Sequence, residues 1–168
     1  GDGAGAVLVE PTEEPVGVID AVFHVDGTGL EHLYMRAGGS VHPACQETLD
    51  AGDHYLFQDG RHVYKHAVTD MLTSSLSIME RNGLSVEDIN WLVPHQANLR
   101  IIEAVSSRAG VPSEKVLVNI EHTGNTSAAS IPLCLDEYKG RLKKGDKIIL
   151  TAFGAGFTWG AMYLIWDL

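Results

Sequence analysis

Three short stretches hold the residue types that can grip a ligand or assist a reaction. His95 sits in Val93-Pro94-His95-Gln96-Ala97-Asn98, just past a rigid proline and ahead of a helical pattern. An imidazole there can present a ring nitrogen to a ligand, although the position equally suits a histidine hydrogen-bonded for structure alone. Asn125, in Gly124-Asn125-Thr126-Ser127, offers an amide donor and is just as well placed to cap a helix. Phe153-Gly154-Ala155-Gly156-Phe157 is a glycine bend, where small residues either let backbone approach a substrate or relieve crowding. Cys45 and His42 make a Cys/His pair in a loop, but spacing alone does not make a dyad. His62 and His66, four apart on a helix, would need His54 to gather a metal. No carboxylate completes a pattern such as His-Glu-x-x-His, so no metal site is expected.

The elements that must position these residues follow from hydrophobic periodicity. Residues 5–9 and 16–25 read as β-branched strands split by a proline turn over 11–15. Residues 26–60 are rich in Gly, Asp and His, with little periodicity; they read as a long functional or covering excursion with short helical turns. From 61 to 82, Tyr64, Ala67, Val68, Met71, Leu72, Leu76 and Met79 keep helical spacing, and Gly83 closes the helix. Ser85 and Asp88 open a short capped turn. A strand over 91–93 runs into Pro94 and His95, and Asn98 caps a helix that Gly110 and Pro112 stop. Residues 116–118 read as another buried strand. A helix of small residues is expected over about 126–139, kinked or restarted by Pro132. A strand over 148–152, the glycine bend and a last strand to 166 complete the chain. Alternating strands and helices predict parallel pairing, with ligands beyond the carboxyl ends of the strands. If the strands are neighbours, His95, Asn125 and the bend converge on one face.

Composition excludes several classes of function. The 168 residues are 45% apolar and 20% charged, enough for one sizeable core or half of a larger enzyme. Net charge is −10, and the imbalance is local: residues 1–60 hold eleven acids against Arg36 alone, while 61–168 hold eleven of each sign. Nucleic acid is therefore a poor partner, and an acidic partner would dock on the later part of the chain. Residues 148–166 carry no charge, but Gly154, Gly156 and Gly160 break the run, so two buried strands are expected rather than a membrane span. Two cysteines form neither a disulfide framework nor a metal cluster. With no signal-peptide pattern at the start, a cytoplasmic location is expected. The opening Gly1-Asp2-Gly3-Ala4-Gly5-Ala6 lies inside what reads as a glycine-rich turn entering a strand, as though the chain were cut there.

Taken together, Pro94-His95-Gln96-Ala97-Asn98, Gly124-Asn125-Thr126-Ser127-Ala128-Ala129-Ser130 and Phe153-Gly154-Ala155-Gly156-Phe157-Thr158-Trp159-Gly160 resemble the β-ketoacyl-acyl-carrier-protein synthase III family in order and spacing. The opening Gly-Asp-Gly-Ala-Gly-Ala agrees. The resemblance covers nearly all of 1–25 and 61–168, with 26–60 the loosest part. It implies an α/β protein of the thiolase-like fold: one αβ-layered carboxyl-terminal half of a five-layer αβαβα architecture. Residues 1–15 would be the last strand and turn of the preceding half, and 16–168 the carboxyl-terminal domain.

The resemblance further implies initiation of fatty-acid synthesis. An acyl group, usually acetyl from acetyl-CoA, is loaded on a cysteine, and malonyl-acyl-carrier protein decarboxylates and attacks it. Of the family's Cys, His and Asn, the motifs carry over His95 and Asn125. An imidazole N–H and an amide N–H can stabilise the enolate oxygen without being consumed. Phe153 would form an apolar wall beside the malonyl carboxylate, and the backbone N–H of Ala155 would serve a second oxyanion hole. Gly60, Ala97 and Asn98 would line the pantetheine channel, and Lys65, Arg100 and Arg108 would meet the acidic carrier protein. No cofactor is implied, acyl-CoA being a substrate, and the complete enzyme is expected to be a homodimer. The departure lies in the nucleophile. Neither Cys45 nor Cys134 has the helix-start setting that favours a thiolate, so the cysteine is expected in a missing or separate amino-terminal half, and this chain alone is expected to be inactive. A ketosynthase of secondary metabolism with another starter, and a non-catalytic split subunit binding acyl-CoA or carrier protein, are the alternatives.

Overall fold

The β-branched runs of the sequence pair into two sheets in a computed structural model that describes residues 1–168. The strands are β1 (Gly17–Val25), β2 (Leu33–Met35), β3 (Leu56–Gln58), β4 (Trp91–Pro94), β5 (Lys147–Gly154) and β6 (Thr158–Ile165). The main sheet has the order β1-β6-β5-β4, and β2 and β3 form a separate antiparallel pair. Only β4 and β5 run parallel; β6 is antiparallel to both β5 and β1. The expected parallel sheet is thus corrected to a mixed one, because the bend joining β5 to β6 is too short for a crossover and can only make a hairpin. That hairpin accounts for the charge-free run, and no helix is long and apolar enough to cross a membrane.

Two further expected strands do not form. Residues 5–9 pair with no other segment of this chain. Apolar alternation cannot make a strand without a neighbouring ladder, and Val7, Leu8 and Val9 stay exposed. Residues 116–118 contribute a single bridge, Val116 to Leu92. The next backbone groups are taken by side chains: the Val118 carbonyl accepts the Tyr138 hydroxyl, and the Asn119 and Ile120 N–H groups donate to Gln96.

The helices are α1 (Gln46–Asp50), α2 (Gly60–Arg81), α3 (Leu99–Ala109), α4 (Ile120–Thr123) and α5 (Ser130–Tyr138); α2 and α5 pack on the main sheet and α3 packs on α2. Asp59 starts α2 by accepting the His62 N–H. Its inner face is Val63, Ala67, Val68, Met71, Ile78 and Met79, while Leu76, placed on that face by spacing, points outward. Ser74 and Ser75 sit in the middle of the face. Their hydroxyls donate to the Asp70 and Met71 carbonyls, which makes their burial tolerable. Asn98 caps α3 by accepting the Arg100 N–H at 2.9 Å, and Gly110 ends it in the left-handed region. Pro132 delays the helix expected from 126: a single 3-10 turn (Ser127–Ala129) comes first, and α5 begins at Ser130. Proline's missing N–H then falls in the first turn, where it would have no intrahelical partner anyway.

The sheet sorts its side chains by alternation. Leu92, Ile149, Ala161 and Tyr163 pack with Ile78 and Met79 of α2, whereas Val93 and Ile148 pack with Cys134 of α5 on the other face. Each fully buried Ile or Leu contributes roughly 1.5–3 kcal/mol. At Gly160 any Cβ would collide with the Val22 carbonyl, so the β1–β6 register depends on the absent side chain. The 26–60 excursion holds more order than expected: a 3-10 helix (Gly27–His32) capped by Asp26, the β2–β3 pair and α1.

Candidate active site

His95 is the first residue past β4, and the parallel ladder continues through it: its backbone N–H donates to the Thr151 carbonyl at 2.8 Å. That bond fixes where the imidazole starts. Its Nδ1 lies 2.6 Å from the Ser130 hydroxyl at the start of α5, and Nε2 has no protein partner. Ser130 Oγ also accepts the Gln96 N–H at 3.3 Å, so its own proton is free to go to Nδ1. That tautomer leaves an N–H on Nε2. Burial holds the imidazole below its ordinary pKa, which keeps it neutral at neutral pH.

Asn125 is fixed in a similar way. Its Oδ1 accepts the Ser127 N–H at 2.9 Å, which leaves both Nδ2 protons unclaimed by protein. Ser127 is the one non-glycine residue at positive φ, and the Asn125 side chain braces that turn. Asn125 does not cap a helix, since Thr126 and Ala129 precede the 3-10 turn and α5 without a side-chain cap; its oxygen closes the local turn and its nitrogen is left for a ligand. At the β5–β6 bend, Phe153 is buried and packs against Phe157 at 4.9 Å between ring centres. The Ala155 carbonyl accepts the Thr158 hydroxyl, while the Ala155 N–H has no protein acceptor.

These groups line one open cavity of about 1010 Å³ beyond the carboxyl ends of β4 and β5. His95, Asn125, Phe153 and Ala155 face it, as do Gly60 from the start of α2 and Ala97 and Asn98 from the start of α3. Arg100 reaches the same cavity with its guanidinium 5.6 Å from the Tyr64 ring centre. Lys65 and Arg108 do not line it; both are exposed, on α2 and in the last turn of α3. Arg108 lies eight residues beyond Arg100, about 12 Å along the helix axis.

Several contributors were not read from the sequence. Arg61 and Tyr64 line the cavity from α2, and Leu33 and Leu56 bring the β2–β3 pair to its wall. Gln96 is fully buried: Nε2 donates to the Pro94 and Leu117 carbonyls, and Oε1 accepts from Asn119 and Ile120. It ties the His95 loop to the segment that leads to Asn125. Its place in the Pro-His-Gln-Ala-Asn motif was the available signal; its four partners were not visible.

Neither cysteine lines the cavity. Cys134 is buried in α5, and burial pushes its thiol up to about 12. Contrary to the expectation that neither cysteine stands at a helix start, Cys45 is the exposed N-cap of α1, where hydrogen bonds with Thr48 pull its thiol below the ordinary value. It lines a separate hollow of about 360 Å³, and His42 makes no hydrogen bond to it. His54, His62 and His66 are also not brought together: His54 bonds the Thr48 hydroxyl, His66 pairs with Asp70 and His62 with Asp59.

Sheet order, covering helices and a His/Asn cavity at the strand ends define an α/β protein of the thiolase-like fold. The β-ketoacyl-acyl-carrier-protein synthase III of Thermus thermophilus superimposes with a TM-score of 0.82 at 43% identity, over 95% of this chain and 49% of that one. A priming β-ketosynthase of a polyketide biosynthetic pathway superimposes with a TM-score of 0.78 at 36% identity, over 94% and 47%. In sequence, the β-ketoacyl-acyl-carrier-protein synthase III of Porphyromonas gingivalis is 63% identical over 166 residues, which is 99% of this chain and 50% of that protein. Residues 79–166 match the model of the 3-oxoacyl-acyl-carrier-protein synthase III carboxyl-terminal family. The chain belongs to that family, and spans about half the length of the curated relatives it matches.

Proposed function

We propose that this chain is the decarboxylating half of a condensing enzyme that joins an acyl-CoA, acetyl-CoA in the first instance, to malonyl-acyl-carrier protein. The observation that carries the reading is the pairing of His95 and Asn125 on one cavity, each with its other polar atom already engaged. Loss of CO2 from a malonyl thioester puts negative charge on the thioester oxygen. The Nε2–H of His95 and the Nδ2–H of Asn125 hold that oxygen as neutral, fixed donors that need no reorganisation when the charge develops. Phe153 offers the malonyl carboxylate an apolar wall that favours its departure as CO2. The free Ala155 N–H serves the carbonyl of the acyl thioester. Gly60, Ala97 and Asn98 line the channel for the pantetheine arm. Arg100, Arg61 and, outside the cavity, Lys65 present positive charge to an acidic carrier. Arg108 stands about two helical turns further along α3 than Arg100.

The acylated cysteine belongs to a preceding half, which residues 1–15 join, and the chain by itself is inactive. Surface area supports that incompleteness. The chain exposes 9960 Å², against about 8,100 Å² for a compact protein of its mass. In the complete enzyme, His95→Ala and Asn125→Ala are each expected to abolish release of labelled CO2 from malonyl-acyl-carrier protein. Acyl transfer from acyl-CoA to the cysteine should persist. Loss of acyl loading with decarboxylation intact would overturn the assignment. A different starter in secondary metabolism is the second reading, favoured by the likeness to the polyketide priming ketosynthase; comparing acyl-CoAs in the loading assay separates the two.

A further inference from the structure

The first five residues join no strand of this chain, yet they lie against its candidate site. The Gly1 nitrogen donates to the Asn125 carbonyl at 2.8 Å. Glycine recurs at every second position from there, and each glycine meets the Asn125 loop or the first turn of α5. A Cβ on Gly1 would run into the Thr123 carbonyl oxygen. One on Gly3 would stand 3.0 Å from the Thr126 methyl, and one on Gly5 would stand 2.6 Å from the Pro132 ring. Carbon atoms rest at about 3.5–4.0 Å from one another, so backbone passes where a side chain cannot. A period of two is that of an extended chain with one face against the loop. Gly124, at φ +67°, faces Gly1 across the contact, and a Cβ there would stand 3.4 Å from the Gly1 nitrogen. The Thr126 hydroxyl is buried with no hydrogen-bond partner, so packing is what places that side chain beside Asn125.

We propose that Gly1, Gly3 and Gly5 form a positioning strap for Asn125 and, through the start of α5, for His95. The inference rests on the functional reading given above. Asn125 has two anchors of different reach. Its Oδ1 accepts the Ser127 N–H within its own turn, which fixes the amide relative to that turn. Its carbonyl accepts from Gly1, 124 positions away, which fixes where the turn stands in the molecule. Ser130, whose hydroxyl engages His95 Nδ1, opens the same helical turn that Gly5 meets at Pro132. One extended segment thereby holds both enolate donors in register. In the complete enzyme the Gly1 nitrogen is a peptide N–H and donates in the same way. The strap then ties the donors to the half that carries the acylated cysteine, so the enolate forms in line with the thioester it attacks. Any side chain at Gly1 or Gly5 lifts the strap by roughly 1 Å and weakens its hold on Asn125.

The test places Gly1→Ala and Gly5→Ala separately in the complete enzyme. A reacting group misplaced by about 1 Å can cost about a hundredfold in rate. Each variant should lower kcat for release of labelled CO2 from malonyl-acyl-carrier protein by roughly tenfold or more. KM and the rate of acyl loading on the cysteine should stay within about twofold of the parent's. Intact loading reports an intact fold, and the split between kcat and KM separates positioning from general weakening. Gly140→Ala, where a Cβ meets nothing within 4 Å, is the control and should match the parent. Unchanged CO2 release in both variants, or joint loss of loading and release in both, overturns the strap. Asn125→Ala, run alongside, keeps the two readings apart. If it leaves CO2 release intact, the functional reading falls and the strap with it. If it abolishes release while both glycine variants retain it, the strap alone falls.

Discussion

His95 owes its behaviour to three neighbours rather than to its own sequence position. The Thr151 carbonyl fixes its backbone, Ser130 engages its Nδ1, and burial holds its pKa down. The last of these has a consequence for stability. A histidine with a folded pKa below its ordinary 6.5 binds protons more readily when unfolded. Its neutral burial is therefore fully tolerated above that value, and the protein loses stability as pH falls from 6.5 through the folded pKa. His95→Gln should flatten the part of the acid-side slope that belongs to this residue. Urea unfolding of parent and variant at a series of pH values between 5 and 8 would show it, and identical slopes would mean the ring is solvated. The histidine at the end of a strand after proline was legible from its motif. The hydroxyl that sets its proton was not, because Ser130 is 35 positions away.

At the scale of elements, Gln96 replaces a strand. Where a fully paired segment was expected over 116–118, one side chain makes four hydrogen bonds and holds the β4 exit against the approach to Asn125. Gln96→Leu keeps the volume but strands two carbonyls and two N–H groups, and a buried unpaired polar group costs about 1–3 kcal/mol. A loss of about 3 kcal/mol is expected in chemical denaturation of the complete enzyme. Decarboxylation should fall with it, since both proposed enolate donors hang on that tie. A variant as stable as the parent would show that water satisfies the stranded groups. Helix boundaries were legible where caps are local chemistry: Asn98, Gly83 and Gly110 act within a few residues of themselves. The short β2–β3 pair was not, since three-residue strands carry too little alternation to register.

The whole molecule carries about 1,800 Å² more surface than a compact chain of its mass, comparable to a large permanent interface. Part of it is apolar: Phe23 and Val25 on the edge strand β1 are 73% and 76% exposed, and Val7, Leu8 and Val9 of the amino-terminal segment are open as well. Exposed apolar side chains of this kind favour association. The chain expressed alone should bind a hydrophobic dye such as ANS and self-associate in light scattering. Supplying the proposed amino-terminal half should suppress both. A monodisperse, dye-negative chain would count against an interface of that extent.

Local interactions let the sequence alone determine the long helices, their caps, the charge asymmetry and the motifs that mark the family. A cap or a turn needs only neighbours within one helical turn, so its signal survives in the linear order. Tertiary structure alone decided which strands run parallel, which nitrogen of His95 faces the cavity and that neither cysteine reaches it. It also decided that the Gly1 nitrogen meets the Asn125 carbonyl. Each of those depends on groups brought together from distant positions, where backbone pairing and burial choose the partner and spacing along the chain does not.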